Sequence, residues 1–136
     1  MLLLVLGLGW RIYASQPPPD LGDVLEVTHL YLVNMTSGTA VMNLVTPTAD
    51  GDYQITIYAD WPDVSGADST ITNTLHWTDT RRSPNIVTST PLVGSVPYTQ
   101  TNIMHVVANT PIQLSVGYNA GTTNVPYDEE IVLTKQ

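Results

Sequence analysis

The 136-residue sequence contains no cysteine and no phenylalanine, and its four basic residues face twelve Asp and Glu. Without cysteine there is no disulfide framework and no reading of the redox compartment. A chain of this length forms one domain and buries enough of its own surface to need neither metal nor disulfide. Without phenylalanine the core must be built from Val, Ile, Leu, Met, Tyr and Trp. The net charge of −8 repels a phosphate backbone, which excludes nucleic acid as a partner. Charged residues make up only 12% of the chain, about half the usual fraction, yet 43% is hydrophobic, so the low charge does not signal disorder. Helical periodicity is missing throughout. So are a Gly-x-Ser-x-Gly elbow, a phosphate loop and a His-Glu-x-x-His motif. An enzyme is therefore not expected, and neither catalytic residues nor a cofactor are assigned.

What is present begins with an apolar run, "MLLLVLGLGW", closed by Arg11. It is too short for a membrane-spanning helix, which needs about 20 residues. Two readings stay open. It has the apolar stretch of an export signal, with Ala14 as a cleavage position but no preceding basic residue. Alternatively it is a retained arm, in which Leu2, Leu3, Leu4, Val5, Leu6, Leu8 and Trp10 bury against a partner. Contact with a membrane is expected only transiently, through this segment. "SQPPPDLGD" follows, and its three consecutive prolines enforce an extended linker. Residues 1–22 are thus an arm and linker, and the domain proper spans 23–136.

The domain reads as strands and turns. In "DGDYQITIYADW" (50–61), Tyr53, Ile55, Ile57, Ala59 and Trp61 alternate with Gln54, Thr56, Tyr58 and Asp60, the pattern of a half-buried strand launched from an Asp-Gly turn. The same alternation predicts strands over 24–33, 40–46, 69–78, 85–90, 101–108, 112–119 and 127–134. In 69–78, Ile71, Asn73, Leu75 and Trp77 share one side, while Thr70, Thr72, Thr74, His76 and Thr78 share the other. About eight strands with one apolar face each define an all-β, two-sheet antiparallel sandwich, jelly-roll-like, preceded by the apolar arm. An immunoglobulin-like sandwich is the alternative. The many uncharged Thr, Ser, Asn and Gln suit strands that face water or a neighbouring subunit.

Three stretches carry a resemblance: "NLVTPTADGDYQITIYADW", "TLHWTDT" and "VVANTPIQLSVGYNAGTTNVPYDEEIVL". Pro47, Gly51 and Tyr53 lead into an early strand. Trp77-Thr78-Asp79 stands centrally, a late strand follows an Asn-Thr-Pro-Ile turn, and Tyr127 leads the closing strand. In this order they resemble a small jelly-roll module of phage fibre proteins and secreted bacterial proteins, similar to the tumour-necrosis-factor and complement globular-head fold. The resemblance covers roughly residues 40–134. It implies a trimer-forming or neighbour-packing module that displays loops and performs no catalysis. The sequence departs from it in showing no collagen-like or coiled-coil stalk ahead of the domain, and in carrying the apolar arm.

Candidate sites are few. Asp60, Asp63 and Asp68 form a weak Ca²⁺ candidate, since hard carboxylate oxygens suit that ion; their spacing does not fit an EF-hand loop, and Asp is also a common turn residue. Asn34-Met35-Thr36 is a glycosylation sequon expected in a turn, with Asn34 as acceptor. His29, His76 and His105 are expected on the surface of strands or at an interface. Trp61 and Trp77 are expected in the core. Asp128 and Glu130 fall on one strand face with Glu129 opposite, and the run is read as a solvated strand start. Taken together, the sequence predicts a structural subunit of an extracellular filament, fibre or virion-surface assembly, its partners copies of itself. The alternative is an adhesive or carbohydrate-binding module gripping cell-surface glycans with loops 62–68, 79–84, 91–97 and 120–126. The location expected is extracellular, on a cell surface or on a virion surface.

Overall fold

The computed structural model describes residues 25–62, 68–93, 97–122 and 124–136. The arm and linker of residues 1–22 lie outside the described residues, and so does Asp63. The eight strands are β1 (Leu25–Met35), β2 (Thr39–Val45), β3 (Gly51–Asp60), β4 (Thr70–His76), β5 (Asn85–Pro91), β6 (Tyr98–Val106), β7 (Ile112–Asn119) and β8 (Tyr127–Lys135).

They form two four-stranded antiparallel sheets, ordered β1-β8-β3-β6 and β2-β7-β4-β5. Only the β4–β5 connection joins neighbours within one sheet; each of the others crosses to the opposite layer. This is the strand order of a jelly roll, so the immunoglobulin-like alternative falls away. Leu25 pairs with Lys135, which brings the beginning of β1 and the end of β8 together at one end of the sandwich.

Period-two alternation drives the layering. In β3, Tyr53, Ile55, Ile57 and Ala59 are buried, and Trp61 continues the series just beyond it. β8 turns Tyr127, Ile131 and Leu133 inward, β7 turns Ile112, Leu114 and Val116, and β4 turns Ile71 and Leu75. These side chains make two adjoining clusters. The larger is centred on Ile55, Ile57, Leu114, Ile131 and Leu133; the smaller is centred on Trp61, Ile71, Leu92, Val116 and Tyr127.

Expected and observed strands differ most at β6, which begins at Tyr98 and ends at Val106 instead of spanning 101–108. β1 also runs on to Met35, past the expected turn, through a register shift between Leu32 and Met35. The turn beyond it brings Gly38 so close to the Val116 carbonyl that a Cβ there would collide with backbone.

Leu133 is fully buried between β1 and β3, so Leu133→Ala is expected to cost about 2–5 kcal/mol through lost burial and a residual cavity. Thr101→Ala, on the outer face of β6, is expected to stay within about 0.5 kcal/mol. Urea unfolding of the two variants beside the parent chain measures both.

Candidate functional site

Loops gather at two opposite ends of the sandwich. At one end the Leu92 N–H donates to the Ser69 carbonyl, and Ser69 Oγ donates to the Ala120 carbonyl at 2.6 Å. The Tyr127 hydroxyl donates to the Ser37 carbonyl at the same end. At the other end the Val107 N–H donates to the Thr78 carbonyl and the Asn109 N–H to the Pro47 carbonyl at 2.7 Å. Ser69, Leu92 and Ala120, which border the 62–68, 91–97 and 120–126 stretches, therefore share one end, whereas 79–84 lies at the opposite end.

The residues that carry the resemblance are structural. Pro47 is buried and anchors Asn109, whose backbone is left-handed with φ 61°. Asp79 closes the β4–β5 hairpin, its Oδ1 accepting from the Arg81 and Arg82 N–H groups at 2.8 and 3.2 Å. These donors, the Arg81 amide first, hold the Asp79 carboxyl below its usual range.

Asp60 and Asp128 stand opposite each other in the β3–β8 register. With Asn34, Trp61, Pro62, Pro126 and Tyr127 they line an open cleft of about 320 Å³. Asp60 Oδ1 accepts from the Trp61 N–H at 2.9 Å, and Asp128 Oδ1 accepts from the Asn34 N–H at 2.5 Å. Asp68, the other described member of the calcium candidate, ties two loops, accepting from the Thr122 N–H and hydroxyl at 2.7 and 2.9 Å. Among the described residues no group of three His, Asp or Glu is placed to hold a metal ion. Asn34 is exposed, but it sits at the bulge near the end of β1 with φ 52° and not in a turn.

Two of the histidines meet carboxylates on the outer face of the β1-β8-β3-β6 sheet. His29 Nε2 lies 2.7 Å from Glu130 Oε1, and His105 Nδ1 lies 2.7 Å from Asp52 Oδ1. His76 lies on the other sheet, where with Val41, Trp77, Thr78, Ser83, Pro111 and Gln113 it lines a second open cleft of about 340 Å³. Trp61 is buried in the smaller cluster, and Trp77 is partly buried against the larger one.

The two outer faces differ sharply in charge. β2, β4, β5 and β7 contain no Asp, Glu, Lys or Arg at all. The face they present carries Thr70, Thr72 and Thr74 of β4, beside Ser115 and Gly117 of β7 and Val87 and Ser89 of β5. Thr72 and Ser89 hydroxyls meet at 3.0 Å across the β4–β5 pair. Val41 and Val87 stand 60% and 57% exposed on this sheet, large apolar groups left open to solvent. The individual strands are legible in the sequence, but that these four share one sheet is not.

Among the described residues one carboxylate lies inside. Glu129 of β8 is buried, which corrects the reading of residues 127–130 as a solvated strand start. Its Oε1 accepts from Asn73 Nδ2 of β4 at 2.7 Å, a bond that crosses the sandwich. Desolvation raises its carboxyl to about 7, the Asn73 bond opposing only in part. The signal was available: Glu129 shares the parity of Tyr127, Ile131 and Leu133. Neighbouring Tyr127 is pushed up to about 12, by burial first and then by Glu129 and Tyr118.

The fold defines a β-sandwich module of jelly-roll topology. No family model matches the chain, and no curated protein matches it. Among solved structures it is similar to the CBM22-1–GH10 modules of a Clostridium thermocellum endo-1,4-β-D-xylanase complexed with xylohexaose, with TM-score 0.47 and 11% identity, over 82% of this chain and 28% of that one. It is also similar to the Eiger TNF of S. frugiperda, with TM-score 0.41 and 12% identity, over 83% of this chain and 92% of that one. A family 16 carbohydrate binding module gives TM-score 0.36 and 11% identity, over 83% and 84% of the two chains.

Gly121 has φ 59°, and a Cβ there would collide with the Asp68 carboxylate. Gly121→Ala is therefore expected to lower stability by about 1–3 kcal/mol, through left-handed backbone strain and a broken Asp68–Thr122 tie. The same measurement on Asp68→Ala is expected to show a smaller loss, of about 1–2 kcal/mol. Thermal unfolding of both variants checks the order.

Proposed function

We propose that this module is a non-enzymatic structural subunit of an extracellular filament, fibre or virion-surface assembly, in which copies pack on one another through the β2-β7-β4-β5 sheet. The observation that supports this reading is the charge segregation. Two chains of net charge −8 repel wherever their carboxylates approach. The one sheet without Asp, Glu, Lys or Arg in its strands lets a second copy approach without burying like charges. Its Thr and Ser hydroxyls form hydrogen bonds without a charge to desolvate, and Val41 and Val87 supply apolar area.

Size matters to the mechanism. Four strands about 4.8 Å apart and about seven residues long present roughly 450 Å² of flat face. A stable interface takes about 800 Å² from each partner, so this face alone makes a weak contact. The arm of residues 1–14 is the element we assign to make up the difference. Its leucines, Val5 and Trp10 add apolar area when laid along a neighbour's unpaired sheet edge, as in strand addition.

Thr74 lies at the centre of the face, opposite Ser115 and Val87. The double substitution Thr74→Asp with Val87→Asp is expected to shift sedimentation velocity to the monomer while leaving the β circular dichroism intact. A parent chain that stays monomeric at every attainable concentration sinks the proposal. Removing residues 1–14 is expected to abolish assembly and spare the fold; a truncated chain that assembles normally removes the arm from the mechanism.

A second reading rests on the cleft beside Trp77. An aromatic ring flanked by Gln113, His76, Thr78 and Ser83, with no charged group in its lining, has the chemistry of a neutral sugar site. Glycan-array binding by the monomeric double variant, lost on Gln113→Ala, would favour adhesion over self-assembly.

A further inference from the structure

Glu129 sits between Leu32 of β1 and Ala59 of β3 in its sheet, and Asn73 sits between Val116 of β7 and Thr88 of β5 in the other. One hydrogen bond joins them, from Asn73 Nδ2 to Glu129 Oε1. Their remaining polar atoms, Glu129 Oε2 and Asn73 Oδ1, are both buried and both lack a hydrogen-bond partner. With an ionised carboxylate both atoms are acceptors, and neither satisfies the other. A single proton on Oε2 changes that, since an acid O–H donates to the amide oxygen while the amide N–H donates to the acid carbonyl.

We propose that Glu129 is carried as a neutral acid and closes a two-bond ring with Asn73, forming a proton-dependent latch between the two sheets. The surroundings favour the neutral form. Leu32 and Ala59 flank the carboxyl within its sheet, and Ile131 follows it on the inward side of β8. The titratable groups facing this layer are phenols: Tyr127 on β8, Tyr118 of β7 stacked on it at 5.5 Å, and Tyr98 of β6 opposite Ala59. No Lys, Arg or His stands on the inward faces of the described strands beside it, so no cation is placed to compensate a carboxylate. The His29 and His105 pairs lie on the outer face, turned away from it.

The direction of the pH effect follows. The carboxyl titrates near 4.5 when the chain is unfolded and near 7 when folded. Between those values the folded state holds a proton that the unfolded state has released, so stability falls as pH rises through this window and levels off above it. Ionisation strips the ring of its second bond and leaves a charge inside the sandwich. The latch is closed in acid and under strain above neutrality, independently of whether copies assemble.

The test is the folding equilibrium of the full chain, measured by urea titration across this window, for the parent and for Glu129→Gln. Glutamine places an amide in the same ring and needs no proton. The parent is expected to lose on the order of a hundredfold in its folding constant relative to Glu129→Gln as pH rises. Taking the difference removes every other titrating group common to both chains. Parallel curves overturn the latch. If Glu129→Gln does not fold, the infrared carbonyl band of a buried neutral acid in the parent at about pH 6 decides. Its presence there and loss above neutrality support the ring, and its absence refutes it.

Discussion

β8 is hydrogen-bonded along both edges, to β1 on one side and β3 on the other, and its inward side chains reach the opposite sheet. The remaining architecture depends on this placement. The strand that ends the domain must slot between two strands formed near its beginning, so the layers close only when the whole domain has folded. Loop-closure entropy is spent before those pairings repay it, which places the module among slow-folding, high-contact-order topologies. It also explains why the core is shared by every layer-crossing strand and why no sub-piece encloses an apolar interior of its own.

The second constraint is electrostatic. A strongly acidic chain has to keep its carboxylates apart or hydrated. Here the strand carboxylates sit on the β1-β8-β3-β6 sheet, two of them facing imidazoles, and others occupy loops such as Asp68 and Asp79, where they bind backbone N–H groups. Carboxylates in loops cap turns at little desolvation cost. That arrangement leaves the opposing sheet free of ionised groups. Glu129 is the exception that enters the core, and it does so with an amide partner in place of a cation.

How much of this was legible from sequence can be traced residue by residue. Period-two alternation places β3, β4, β7 and β8 closely, because each keeps an inward apolar series, unbroken in β3 and β7 and interrupted only by Asn73 in β4 and Glu129 in β8. β6 begins earlier than its alternation suggests because its first inward positions are Tyr98, Gln100 and Asn102, and polar side chains at the rim of the sandwich mask the pattern. Asn, Ser and Gly cluster around Asn34 and suggest a turn, yet β8 pairing carries β1 to Met35. Three consecutive acids at 128–130 suggest exposure, although parity alone puts Glu129 inside. The uncharged face was beyond sequence reasoning. Its four strands are scattered from residue 39 to residue 119, and only the crossovers bring them side by side.

The pairing of Leu25 with Lys135 has a practical consequence. A polypeptide that arrives and departs at neighbouring points behaves as a cassette. It can be spliced into a host loop, or hung from a scaffold by either terminus, without stretching its backbone. The turns around Gly38, Ser69 and Ala120 would then point away from the attachment point, toward whatever the scaffold meets.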